Sequence, residues 1–239
     1  MNYIITFNTS TGFITGWYQT TSNNFQSGQI VTDQATFDSI VSSLGAGWSV
    51  VNNALVAPTA ASLLLYTQQQ QIQILKQSCT NAIYNGFQIT VNGSPYTITL
   101  RENDLSHDQT NNLLNSISAQ TAMSQAKVWA ANTTVPPNYV VTDGNGKYWI
   151  TFAGGTTGST IPAMPVNYSV GVTDNTVVWY LMGFRVNTTE GTIFIDPITL
   201  VSLAGQMAAF INQILSTYDG LKTQVMSATT PAAVQAIVW

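Results

Sequence analysis

Charge is what this chain has least of. Lys and Arg together number 6, Asp and Glu 10, and charged residues make up 7% of the sequence, against about 25% in an average soluble protein. Six cations spread singly cannot build a phosphate-tracking stripe, which excludes an electrostatic nucleic-acid binder. A surface so poor in charge also lacks the self-repulsion that keeps proteins apart, which points to burial in an assembly. One cysteine, Cys79, excludes an internal disulfide and sits on an apolar helical face, as a structural thiol would. One histidine, His107, stands between Ser106 and Asp108, a setting that suits a helix start better than a catalytic triad. The start Met1-Asn2-Tyr3-Ile4-Ile5 has no basic region before a long apolar run, so no signal peptide is expected. No uninterrupted apolar stretch approaches the ~18 residues of a membrane span, so no membrane insertion is expected.

Metal ligation needs several His, Cys or carboxylate ligands at defined spacings, and none cluster. Glu102, Asp104 and Asp108 form the densest acidic group. A glycosidase would need two of them facing across a cleft, but acids between a hairpin and a helix read as caps. Gly144-Asn145-Gly146 lacks the strand-loop-helix setting and the lysine of a phosphate loop. No catalytic, cofactor-binding or metal site is expected, and no enzyme.

What the chain does have is periodicity. Apolar residues are 45% of the total and recur in helix and strand patterns nearly end to end, which predicts an ordered α+β fold. Residues 1–57 read as a small α+β module: strands over Tyr3–Phe7, Phe13–Tyr18 and Gln29–Val31, a helix capped by Thr32 or Asp33 carrying Phe37, Ile40, Val41 and Leu44, and a hairpin around Asn52-Asn53. Ala57-Pro58-Thr59 is a linker. Residues 60–239 read as a second domain, a helix-hairpin-helix scaffold. Its first helix runs from about Ala60 to Asn85 with Leu65, Ile72, Leu75, Cys79, Ala82 and Ile83 on one face and Gln68–Gln71 solvated. Asn92-Gly93 marks a tight hairpin. A helix over His107–Ala131 follows, with Leu114, Ile117, Val128 and Ala131 as its stripe.

A hairpin around Asp143–Gly146 leads into residues 153–195, which read as a β-rich insertion with strands over Val166–Val172, Thr176–Met182 and Thr192–Ile195. Trp149, Tyr168, Trp179, Tyr180 and Phe184 lie in the β-rich region between the His107–Ala131 helix and the last helix, as core residues or as a contact or glycan surface, since neutral sugar is held by aromatic faces with Asn, Gln and Thr. Asp196-Pro197 opens the last helix. Along it Leu200, Ala204, Met207, Ile211, Ile214, Tyr218, Leu221 and Val225 are separated by 4, 3, 4, 3, 4, 3 and 4 residues. That heptad seam fits either a core helix, which Leu203 and Phe210 favour, or a subunit-subunit coiled coil.

Gln77–Phe87 with the hairpin after it, Trp149, and the closing Ala228–Trp239 resemble a domain of unknown function (number 4376 among such families) found in tail-fibre and tail-fibre-assembly proteins of tailed bacteriophages. Residues 1–57, through Phe13–Tyr18 and Asn53–Pro58, resemble the small module that often precedes that domain. Two departures stand out: the family is richer in charge along the first helix, and residues 153–195 are an insertion where it runs almost directly into the last helix. The resemblance implies a structural virion component, a tail, baseplate or fibre-associated adaptor made in the host cytoplasm and located in the tail. Its expected partners are other phage tail proteins and itself, as a homo-oligomer with a trimer as one arrangement. A module binding host surface glycan and a fibre-assembly chaperone are the alternatives. The resemblance carries over no functional residues.

Overall fold

A computed structural model of the chain describes residues 1–43 and 45–239; Leu44, expected at the end of the first helix, lies outside the described residues. The fold is α+β, with five helices and small, mostly antiparallel sheets among the described residues. It divides into two compact units, residues 1–80 with 215–239, and residues 81–214. The chain crosses between them inside two helices and not at the Ala57–Thr59 linker.

In the first unit β1 (Asn2–Phe7) pairs antiparallel with both β2 (Ile14–Thr20) and β3 (Gln29–Thr32). The helix α1 (Gln34–Ser42) starts where Asp33 accepts a bond from the Thr36 amide at 2.8 Å, as an N-cap carboxylate does. Hairpin β4 (Ser49–Val51) and β5 (Ala54–Val56) turns on Asn52 and Asn53, at φ 51° and 61°. Those left-handed angles are the ones a two-residue hairpin turn requires. Ile5, Ile14, Phe37, Ile40 and Trp48 form the core beneath.

The helix α2 (Ala60–Tyr84) departs from its expected pattern. Leu65 is 45% exposed, while Gln68 and Gln71, expected in solvent, are buried. Their carboxamides have work to do there: Gln68 Nε2 donates to the carbonyls of Val225 at 3.1 Å and Ala228 at 3.2 Å, and Gln71 Nε2 to Ile237 at 2.6 Å.

The second unit begins with the hairpin β6 (Phe87–Val91) and β7 (Ser94–Ile98), turning on Asn92-Gly93. Gly86 ends α2 at φ 74°, and a Cβ there would collide with the Ile98 carbonyl oxygen. The helix α3 (Asp108–Gln125) is shorter than expected. Ala126 turns extended, and Lys127–Val128 becomes β8, which leaves Val128 on the surface. After β9 (Thr134–Val135) come β10 (Tyr139–Thr142) and β11 (Tyr148–Thr151), then β12 (Gly155–Thr156), β13 (Gly171–Asp174), β14 (Val177–Leu181), β15 (Phe184–Thr188) and β16 (Gly191–Ile195). These last strands correct the reading of residues 153–195 as an addition to a finished scaffold. Strands β13 and β14 extend β11-β10-β8 into a five-stranded sheet, and β15 and β16 complete a four-stranded sheet with β7 and β6. Val177, Trp179, Val186 and Ile195, all from this stretch, are almost wholly enclosed.

The helix α4 (Pro197–Ser227) is capped by Asp196, which accepts from the Thr199 amide at 2.9 Å. Leu200, Leu203 and Met207 pack on Ile89, Ile98, Val186 and Ile195 of the four-stranded sheet. Back in the first unit, Val225 of α4 packs with Leu75 of α2 and Val234 of α5 (Pro231–Gln235), a short helix capped by Thr230.

Candidate functional site

Three groups of residues could carry function: the helical faces, the aromatics, and the scattered titratable groups. The helical faces contain the strongest anomaly. Along α3 the buried residues are Asp108, Asn112, Ser116 and Ala119, whereas Leu113, Leu114 and Ile117 are 51%, 56% and 52% exposed. The buried face is mostly polar, and three large apolar residues stand outward among polar ones such as Asn111, Ser118 and Thr121, against the pattern of an ordinary surface helix. Polar partners on β15 explain the inward face: Asn187 Nδ2 donates to Asp108 at 3.0 Å, and Asn115 Nδ2 to the Arg185 carbonyl at 3.3 Å. Nothing within the second unit accounts for the outward face. Leu114 and Ile117, expected as a buried stripe, are therefore surface residues.

The heptad seam of α4 is used at its two ends. Leu200 and Met207 are buried in the four-stranded core and Val225 in the helical core. Ile211 packs at the edge of the first of these, Tyr218 and Leu221 at the edge of the second, and Ala204 and Ile214 are half-buried. The rest of α4 is largely open, with Ile198, Leu215 and Met226 among its exposed apolar residues. Gly205 and Gly220 face open space, with nothing within 4 Å of where a Cβ would stand. A glycine in a helix interior costs about 1 kcal/mol relative to alanine, and among the described residues no contact requires either. By length and composition α4 could also cross a membrane.

The five aromatics do not form one platform. Trp149 and Trp179 lie in the core of the five-stranded sheet with Val135, Val141 and Val177. Their indoles are spent inside: Trp149 Nε1 donates to the Pro165 carbonyl at 2.8 Å, and Trp179 Nε1 to Asp174 at 2.9 Å. Phe184 packs on the other core of this unit. Tyr168 stacks on Phe194 with centroids 5.7 Å apart, and burial together with the charge of Asp196 raises its phenol. Tyr180 pairs with Phe152 at 5.5 Å.

The residue that sequence reasoning missed is Asp174, which with Asn175 reads from the sequence as a turn between two strands. Its carboxylate is buried and accepts from Trp129 Nε1 at 2.8 Å, Trp179 Nε1 at 2.9 Å and the Gly158 amide at 2.7 Å. Burial pushes its pKa up, but the bonds from Trp179, Trp129 and Gly158 outweigh that and hold it below the ordinary value. No local pattern marks it, because its partners lie 5 to 45 residues away.

The titratable groups otherwise serve structure. His107 is the N-cap residue of α3 yet caps nothing with its side chain. Glu102 does so, accepting from the Thr110 amide at 3.0 Å and meeting His107 Nδ1 at 3.0 Å. The Thr110 bond is the main reason its carboxyl is held low. Cys79 is buried, and burial with the charge of Asp219 raises its thiol, the opposite of an activated nucleophile. Among the described residues no three His, Cys, Asp or Glu side chains come together as a metal cluster would. No known protein-family model, curated protein or solved structure matches the chain.

Proposed function

We propose that this chain is a non-catalytic structural subunit of a tailed-phage virion, a tail, baseplate or fibre-associated adaptor that assembles with copies of itself and with other tail proteins. The observation that carries this reading is the inverted α3, with Leu113, Leu114 and Ile117 outward on a protein that is only 7% charged. Contiguous apolar surface of this kind is a contact surface, and little charge guards it against association. The open side of α4 supports the same reading, because Gly205 and Gly220 leave room for a second helix to approach closely. The resemblance of the helix-hairpin segment and the closing residues to tail-associated proteins supplies the setting.

The test is a proteome of purified particles of the phage that encodes the chain, paired with light scattering of the isolated protein. The reading expects the chain at stoichiometric copy number in particles and a defined oligomer in solution. Leu114→Glu with Ile117→Glu should dissociate that oligomer while leaving the fold intact. Absence from mature particles would favour an assembly factor, and a monomer indifferent to both substitutions would remove the structural reading.

A further inference from the structure

A polar groove of about 380 Å³ opens between the first two turns of α3 and the outer face of β15. Asp108, Asn111, Asn112 and Asn115 line it from the helix, at the spacing that puts four side chains on one face, and Arg185 and Asn187 line it from the strand. Asn112 is the anomaly within it. It is only 7% exposed, yet its carboxamide has no hydrogen-bond partner among the described residues. Buried amides are almost always paired. On its other side Asn112 borders a small cavity with Val186, Leu200 and Met207 that offers no polar surface. Among the described residues the one wholly enclosed, unpartnered side-chain polar atom is Thr151 Oγ1. The Asn112 amide therefore keeps an opening, and that opening is the groove.

We infer that this groove is a binding site for a neutral saccharide, one or two pyranose rings in extent. Four carboxamides line it. Those of Asn111 and Asn112 make no side-chain hydrogen bond among the described residues and offer both a donor and an acceptor. Asn115 and Asn187 keep what their bonds to the Arg185 carbonyl, Asp108 and Thr192 leave over, a mixture that complements adjacent hydroxyls that also do both. Asp108 adds acceptor capacity and Arg185 adds donors, and their opposite charges cancel, so the site as a whole favours no net charge. An inorganic anion would meet the Asp108 carboxylate, and a divalent cation would find one carboxylate where it needs several. The strand β15 pairs along its length with β16 and at Thr188 with β7, and the Arg185 carbonyl beside the groove is taken by Asn115 Nδ2, which leaves little backbone edge for an extended peptide. The inference does not depend on the virion reading.

Saturation-transfer NMR on the full chain tests it, with neutral methyl hexopyranosides and N-acetylhexosamine as probes and N-acetylneuraminic acid, inorganic phosphate and glycerol as controls. At least one neutral pyranoside should bind at millimolar or better affinity. Asn111→Ala and Arg185→Ala, both at exposed positions and checked by unchanged melting, should each weaken that binding several-fold, and Asn112→Leu should abolish it. Silence from every neutral pyranoside up to about 10 mM would overturn the site, as would binding that survives all three substitutions, glycerol binding as well as the sugars, or binding confined to the acidic probes.

Discussion

The N-terminal sheet and the five-stranded sheet solve the same problem by opposite means. Both are small. The first closes over Ile5, Ile14, Phe37, Ile40 and Trp48 with α1 laid across it, and its polar groups stay at the rim. The second takes a carboxylate inside and hangs two indoles and a loop amide on it. Apolar packing tolerates small changes of shape because dispersion is not directional. A buried charge tolerates little, because each donor that loses its acceptor is left without water to replace it. The difference lies in how sharply each region should respond to the same chemical insult.

The largest effect is expected from replacing Gly154–Phe194 by a short Gly-Ser linker. That removes β12, β13, β14, β15 and most of β16, along with Trp179 and Val186. The second unit should lose cooperative folding altogether, seen as loss of its near-ultraviolet circular dichroism. A soluble, cooperatively melting product would show that these strands are dispensable additions. Next comes a matched pair of subtle changes. Asp174→Asn keeps the shape but sets an NH2 against the donors around it, and should cost about 2–4 kcal/mol in denaturant unfolding. Ile40→Val removes one methyl from the aliphatic core and should cost about 0.5–1.5 kcal/mol. Equal costs would erase the distinction drawn between the two sheets.

Acid should separate the regions further. The Asp174 carboxyl has a folded pKa below its ordinary value of 3.8. Its contribution is therefore complete above that value and is lost as pH falls below it toward the folded pKa. Tryptophan emission from the second unit should report this loss, and Asp174→Asn should flatten it. An unchanged acid response in the variant would place the sensitivity elsewhere, with Asp108, also held low in the same unit, as the next carboxylate to replace. The smallest effect belongs to His107→Ala. The His107–Glu102 contact is exposed to water, and Glu102 keeps its bond to the Thr110 amide without it. The expected loss is under about 1 kcal/mol, and a loss several times larger would mean the histidine supports more than its carboxylate neighbour.

Much of this architecture is legible one segment at a time. Asn92-Gly93 and Asn52-Asn53 specify their hairpins because left-handed turn residues are a local demand. Asp33 and Asp196 mark helix starts for the same reason. What local patterns conceal is decided by partners far along the chain. Gln68 and Gln71 look like solvent-facing residues until the carbonyls they serve are known. The last two residues of β15 read as part of a turn because Asn187-Thr188-Thr189-Glu190-Gly191 is turn-rich in composition, yet the strand runs on to Thr188 and the actual reversal lies beyond it. In α3 the apolar residues are real and periodic, but periodicity says only that a helix has two faces. Which face turns inward is set by Asn187 and the Arg185 carbonyl on β15. The groove is legible as residue types and invisible as a place.

The glutamine contacts of α2 also impose an order on synthesis. Gln68 and Gln71 emerge from the ribosome some 157 to 166 residues before the carbonyls they bind. At about 5–20 residues per second that is a wait on the order of 10–30 s, during which Leu75 has neither Val225 nor Val234 to pack on. For that interval the nascent first unit must hold an unfinished helix in water, so a chain cut short before residue 225 would leave it permanently open. Completion of this part of the fold thus waits on residues made last.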